Sequence, residues 1–422
     1  MGRFVGEWNE QFKNYNHNVR LFLLASILVN IGMGIFMVIY NYYIRELGYS
    51  DQMNGRVIAM QAMASAVALL PAGLISDKWG RKRIIIIGAV FAATSLLFRA
   101  LLEGEQTLIV MAFVTGLFMA FIQVSSIPLL AENSTEKERV HLFSFNFALI
   151  MVANVVGNAL GGTLTDLFHL FFHVTMLESV RITLVIGSVF FFLALIPIFK
   201  IKDQSKARIQ KTGASSIGKL LTTHRSSIKW IGLFAVANLL IGFGSGLVIP
   251  YLNLYFSDRF EISNSLVGLI LSLGQAMTAV AFMIGPSVVK RFGEVKAVVM
   301  LQLASIPFLL LTAYTENLWL AVIGFLFRQA LMNAGNPIQM ALMMRTVDDS
   351  MKGLANSVGQ MVFQLGWAVM GPVSTSIVVL YGAYYGYAYV FSITAFLYVL
   401  GSTYFFFVFR QIDSKKTQKE VA

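Results

Sequence analysis

Twelve apolar runs, each about 20 residues long, alternate with short polar connections along the whole chain, a length that as helix crosses a hydrocarbon layer roughly 30 Å thick. Read as helical spans they cover 20–44, 55–76, 84–102, 107–131, 141–166 and 180–199, then 229–256, 264–289, 296–314, 317–344, 353–380 and 386–409. The longest polar interruption, 200–228, is basic and rich in Ser and Thr and divides the runs six and six. The pattern predicts an all-α membrane protein. It comprises an N-terminal segment (1–19), a six-helix bundle (20–199), a linker (200–228), a second six-helix bundle (229–409) and a tail (410–422).

Charge fixes the orientation. With the N-terminus inside, 26 of the 32 Lys and Arg fall in cytoplasmic segments. Of the others, Arg45, Arg56, Arg99, Arg181 and Arg259 sit near outer span ends, and Arg328 lies within a span. Loops rich in Lys and Arg stay in the cytoplasm, so both termini are expected there. The net charge of +11 is thereby a topology signal and calls for no nucleic-acid partner. Composition agrees with a bilayer: 57% hydrophobic, 13% charged and a mean hydropathy of +0.71. There is no Cys, which removes disulfides, thiolate catalysis and Cys-based metal sites. The polar start MGRFVGEWNEQ lacks a signal-peptide core, and Gly6 stands where a myristoylation site has Ser or Thr. No H-E-x-x-H or G-x-S-x-G occurs, so neither enzyme, cofactor nor metal is expected.

The two sets of six are related by a shift of 213 residues. Gly55 then meets Gly268, the run AVA at 66–68 meets AVA at 279–281, Gly80 meets Gly293 and Ser144 meets Ser357. Such parallel repeats place a substrate site between them near the bilayer midplane. Side-chain amides fit this scheme: spans three, six and twelve have none and span nine has only Gln302, so every third helix is expected to be outer scaffold.

At 100° per residue, four stripes emerge as cavity candidates. They are Asn30, Gly34, Met37 and Asn41 in span one; Asn238, Gly242 and Ser245 in span seven; Arg328, Met332, Gly335 and Gln339 in span ten; and Gln360, Gln364 and Trp367 in span eleven. Gln123 of span four joins them. The run GFGSG at 242–246 follows no strand and reads as packing or a hinge, not a phosphate loop. No Asp or Glu lies mid-span, which argues against coupling through a central carboxylate, although Asp166 near a span end could titrate. Arg99 and Glu103, four apart, are expected to pair locally.

Span two closes on GLISDKWGRKR, residues 73–83. Gly73 and Gly80 suit close backbone approach and a tight turn, Asp77 can receive backbone N–H groups, and Arg81, Lys82 and Arg83 hold the loop inside. The segment closely resembles the signature loop of the major facilitator superfamily, and the spans, halves and linker extend that resemblance to the whole chain. It implies a transporter of the bacterial cytoplasmic membrane, working as a monomer by alternating access on a small molecule, with protons as a candidate coupling ion. It also implies that Asp77 latches onto the start of span eleven when the inner face closes. A drug-efflux-like branch is expected, but Asn158 replaces the Pro of the antiporter element in GNALGG at 157–162, and the family's Arg in span four is missing.

In the second copy the loop charges invert. Asp77, Arg81 and Glu132 become Lys290, Glu294 and Arg345, so each half keeps a trio able to pair at the cytoplasmic face, tying spans two and four, or eight and ten. These residues, with Gly73, Gly80, Lys82 and Arg83, form the candidate gate. The favoured cargo is an amphipathic or lipophilic molecule leaving the cell, because the stripes mix Met, Trp and amides. An anionic or polar metabolite paired with Arg328 is the alternative, and a non-transporting receptor a remote one. A structural Arg328, bonded to backbone or amides, fits its pattern equally well.

Overall fold

The structure, a computed structural model, describes residues 15–202, 225–348 and 351–421; the expectations for the first 14 residues and most of the linker lie outside these. The apolar runs become α1 (His17–Glu46), α2 (Asp51–Trp79), α3 (Arg81–Leu101), α4 (Glu105–Glu132), α5 (Glu136–Phe171) and α6 (Met176–Lys200). After the linker come α7 (Arg225–Val248), a 3₁₀ turn (Ile249–Tyr251), α8 (Leu252–Phe260), α9 (Asn264–Phe292), α10 (Glu294–Tyr314), α11 (Leu318–Thr346) and α12 (Lys352–Val421). Among the described residues, eleven helical segments are long and apolar enough to span a bilayer, α7 to α8 counting as one. The expected spans eleven and twelve both fall within α12, which breaks at Gly382 with φ 76°.

Local chemistry sets these boundaries. Asn16, Ser263 and Asn317 accept the first free N–H groups of α1, α9 and α11, and Thr175 with Glu178 forms a capping box at α6. Gly80 and Gly293 end α2 and α9 at φ 96° and 82°, values that strain any residue with a Cβ. They are the two positions paired by the 213-residue shift. Pro250 has no N–H for the carbonyl four residues back, so expected span seven breaks into α7, a turn and α8.

Helices α1 to α6 pack among themselves, with α1 against α5 and α6 and α4 against α2 and α3. The later helices do likewise, with α7 against α12 and α11 against α9 and α10. The two groups meet along α2 against α12 and α5 against α9. Small residues permit that approach. Gly162 lies against the Asn264 backbone, and a Cβ on Gly268 would stand 2.5 Å from the Asn158 carbonyl oxygen. Inside the groups, hydroxyls link helices where no water reaches: Ser76 Oγ lies 2.6 Å from Ser125 Oγ, and Ser402 Oγ donates to Gln302 Oε1 at 2.9 Å.

Gly73 behaves unlike the other signature glycine, for a Cβ there meets nothing within 4 Å, so close approach does not explain it. Gly162 and Gly73 therefore make a matched pair with opposite expected outcomes. Gly162→Ala should lower the melting temperature of the purified protein, because α5 must part from α9; overpacking of this kind costs about 1–3 kcal/mol. Gly73→Ala should leave it unchanged or raise it, since Ala is the better helix former by about 1 kcal/mol. Equal melting temperatures for the two variants would refute the close α5–α9 seam.

Candidate transport cavity

A cavity of about 2120 Å³ lies between the two groups of helices. Its walls come from α1 to α5 on one side and from α11 and the first part of α12 on the other. Tyr40, Asn41, Arg99 and Pro250 stand at one end, and Asp77, Arg81, Lys352 and Gly353 at the other.

The first end is sealed across the groups. Arg45 holds two carboxylates at once: its Nη1 and Nη2 donate to Asp258 at 2.6 and 2.7 Å, and its Nε and Nη2 donate to Asp51 at 2.6 and 2.7 Å. These are bidentate, charge-assisted bonds on half-buried groups, the strong class of ion pair. Tyr387 donates to Asp258 Oδ2 at 3.0 Å. Beneath the clamp, Asn41 Nδ2 donates to Asn253 Oδ1 at 2.9 Å and to the Pro250 carbonyl at 2.7 Å, and Asn253 Nδ2 donates to the Val38 carbonyl at 2.7 Å. Asp166, at the same end, accepts from Asn264 Nδ2 at 3.0 Å and from the Ser265 backbone N–H at 2.7 Å, in the first turn of α9.

The opposite end is open. Asp77 is 62% exposed and pairs with Arg81, which also lies 3.5 Å from Glu132 and donates to Ser76 Oγ at 3.1 Å. Lys82 Nζ donates to the Phe199 carbonyl at 3.1 Å, while Arg83 is exposed. The first trio is thus assembled around Arg81. In the second, Arg345 reaches Glu294 at 2.7 Å, but Lys290 is exposed and joins no ion pair among the described residues. That pairing ties the start of α10 to the end of α11, not span eight to span ten. Exposed pairs contribute at most about 1 kcal/mol, so these trios bear on loop position far more than on stability.

Among the cavity candidates, Asn30, Met37, Asn41, Gln123, Gln360, Gln364 and Trp367 line the space. Eight others, Gly242 and Gly335 among them, do not. Gly34 packs on the backbone of Gly157 and Asn158. Gln339 donates to Asn238 at 3.1 Å, and Ser245 accepts from Trp367 Nε1 at 2.9 Å, so these amides and hydroxyls join helices. Met332 accepts from Ser305 of α10 at 3.8 Å. Arg328 is 2% exposed, donates to Gln329 Oε1 at 2.5 Å and lies beside Phe325 and Tyr398, within the second group of helices. The stripe on span ten shares one face, as its spacing implies, but that face meets α7 and α10. The glycines of GFGSG likewise pack on α12, Gly242 and Gly246 against Phe363, Gly366 and Trp367, and Gly244 against Tyr398 and Thr394.

Arg99 does not make the local pair with Glu103 that its spacing predicts. It lines the cavity, donates from Nη1 to Gln61 Oε1 at 2.7 Å, and lies 4.0 Å from the centre of the Tyr40 ring. Glu103 pairs instead with Arg181. The helix ends at Leu101 and Leu102 is extended, so the i, i+4 rule no longer applies at Glu103. Helix α3 accordingly reaches the cavity and is not plain outer scaffold. Gln61, Asn146 and Asn154 also line it; their amides signalled a polar interior, but not that they share this space.

Comparison with known proteins agrees with this architecture. A family model for the Major Facilitator Superfamily matches residues 22–237 and 234–422. An uncharacterised MFS-type transporter of Methanocaldococcus jannaschii is 23% identical over 71% of this chain and 76% of its own length. The multi-drug resistance efflux pump PmrA of Streptococcus pneumoniae is 24% identical over 90% of this chain and 93% of its own. The solved structure of the nucleoside transporter NupG superposes with a TM-score of 0.73 at 16% identity, over 93% of this chain and 100% of that one. The sealed and open ends, the interhelical cavity and the full-length family match together make this chain a member of the Major Facilitator Superfamily, an integral membrane transporter.

Proposed function

We propose that the protein is a secondary transporter that exports amphipathic or lipophilic small molecules by alternating access. In this reading it crosses the cytoplasmic membrane of a bacterium twelve times, α12 turning at Gly382, with both termini in the cytoplasm and one chain as the working unit. The observation that carries the reading is the 2120 Å³ cavity, closed at the Arg45 end and open at the Asp77 end. Given the charge bias of the loops, the open end faces the cytoplasm, and the state is inward-facing.

The lining supports the substrate class. Met33, Met37, Met119, Met340 and Met344 face the space with Phe and Trp side chains, and flexible thioethers adapt to varied apolar shapes. Export is the direction taken from PmrA. An anionic metabolite held by Arg328 has no support here, because that guanidinium is satisfied by Gln329 away from the cavity.

Switching requires the Arg45 clamp and the Asp166 contact to break while Asp77 leaves Arg81 for the start of α12.

The absence of cysteine makes the gate directly measurable. Gln364→Cys should react with a membrane-impermeant maleimide faster from the cytoplasmic side. Adding Arg45→Ala should raise labelling from outside several-fold; if it does not, the clamp is not the outer gate. In proteoliposomes, an imposed proton gradient should drive an amphipathic fluorescent probe out of the cytoplasmic-side compartment, and collapsing the gradient should stop it. Probe movement indistinguishable from protein-free vesicles would sink the exporter reading.

A further inference from the structure

We propose that Arg99 is the anion-recognition point of the cavity, and that the transported molecule is an amphipathic anion. This rests on the exporter reading and sharpens its substrate class.

Arg99 is only 4% exposed, yet it lines the cavity at the sealed end. A guanidinium has five N–H donors and no acceptor. Here one nitrogen, Nη1, donates to Gln61 Oε1 at 2.7 Å, the Tyr40 ring covers one face at 4.0 Å, and Nε is buried with no hydrogen-bond partner. No carboxylate pairs with it among the described residues. Glu103 is taken by Arg181 and Glu105 by Arg56, while Asp77, the one acid among the described residues that line the cavity, is held by Arg81 at the far end. The hydroxyl of Tyr40 and Oδ1 of Asn146, both on cavity-lining residues, also lack partners.

A buried cation without a counter-ion is costly, and within a membrane such a group marks a ligand or ion site. Arg328 makes the contrast: it is equally buried but stands off the cavity. The unmet charge of Arg99 stands at the sealed end of a space lined mainly by methionine, aromatic, aliphatic, hydroxyl and amide side chains, whose other charges, Asp77, Arg81 and Lys352, lie at the far end. A molecule complementary to both features has an apolar body and one carboxylate, sulfonate or phosphate group. The neutral Gln61 orients the guanidinium without neutralising it, which leaves that charge to the cargo.

The test uses three fluorescent probes with one dansyl-hexyl body, ending in carboxylate, carboxamide or ammonium, titrated against the purified full chain in a neutral detergent. The carboxylate should bind about tenfold or more tightly than the ammonium, as expected for a charge-assisted contact. Arg99→Gln should weaken the carboxylate about tenfold and leave the carboxamide within about twofold, and Arg99→Lys should keep the preference. Gln61→Glu is the second variant: it retains the cation but gives it an internal counter-ion, and it should abolish the carboxylate preference. A stronger ammonium probe, or an unchanged carboxylate affinity in Arg99→Gln, would overturn the assignment while leaving the amphipathic exporter intact. Failure of all three probes to bind the wild-type chain would overturn both.

Discussion

The guanidinium of Arg45, held between Asp51 and Asp258, is the contact on which the observed state depends. Asp258 lies 213 residues beyond Arg45, the same shift that relates Gly80 to Gly293. Residues at equivalent positions of two repeats can touch only where the repeats come together around a common axis. A charge at that point meets its own counterpart, so like residues there would repel; Arg facing Asp turns the repeat into an attraction. Two carboxylates share one cation, and the planar fork meets both in bidentate fashion. The amides of Asn41 and Asn253 continue the seal inward, Asn41 donating to the Pro250 carbonyl at the break and Asn253 to the Val38 carbonyl of α1. Loss of the clamp would leave the sealed end to glycine seams and neutral amides.

The same economy of polar groups explains the rest of the bundle. In a low-dielectric interior an amide or hydroxyl must find a partner, and lipid offers none. Ser76 with Ser125, Gln302 with Ser402, and Gln339 with Asn238 therefore serve as helix-to-helix links, although in sequence they look no different from cavity residues. Among the described residues, three of the eight buried polar atoms left without a partner, on Tyr40, Arg99 and Asn146, belong to residues that line the cavity.

That distinction marks the limit of what the sequence carried. The spans were legible because backbone groups in a bilayer can only be satisfied in helices, so run length alone defines the elements. The turns at Gly80 and Gly293 were legible because positive φ selects glycine. Helical spacing correctly grouped Arg328, Met332, Gly335 and Gln339 on one face, but periodicity says nothing of which neighbour that face meets. In span one the same reasoning succeeded for Asn30, Met37 and Asn41, since α1 faces the cavity over most of its length. The place of Arg99 was not legible for a local reason: i, i+4 pairing holds within continuous helix, and the helix ends at Leu101, before Glu103.

The two buried arginines show why position outweighs identity. Both lie within apolar helices, both are almost fully enclosed, and each donates to a glutamine. Arg328 bonds the residue next to it in sequence, so its charge is dispersed inside a single group of helices and stays there in any rigid-body movement of that group. Arg99 sits where α3 reaches α1 and α2 at the floor of the cavity, directly beneath the seal formed by Asn41 and Arg45. A ligand anion bound there would sit at the end of the cavity that the Arg45 clamp closes, so a cargo held by Arg99 would bear on the same end of the molecule that must open for its release.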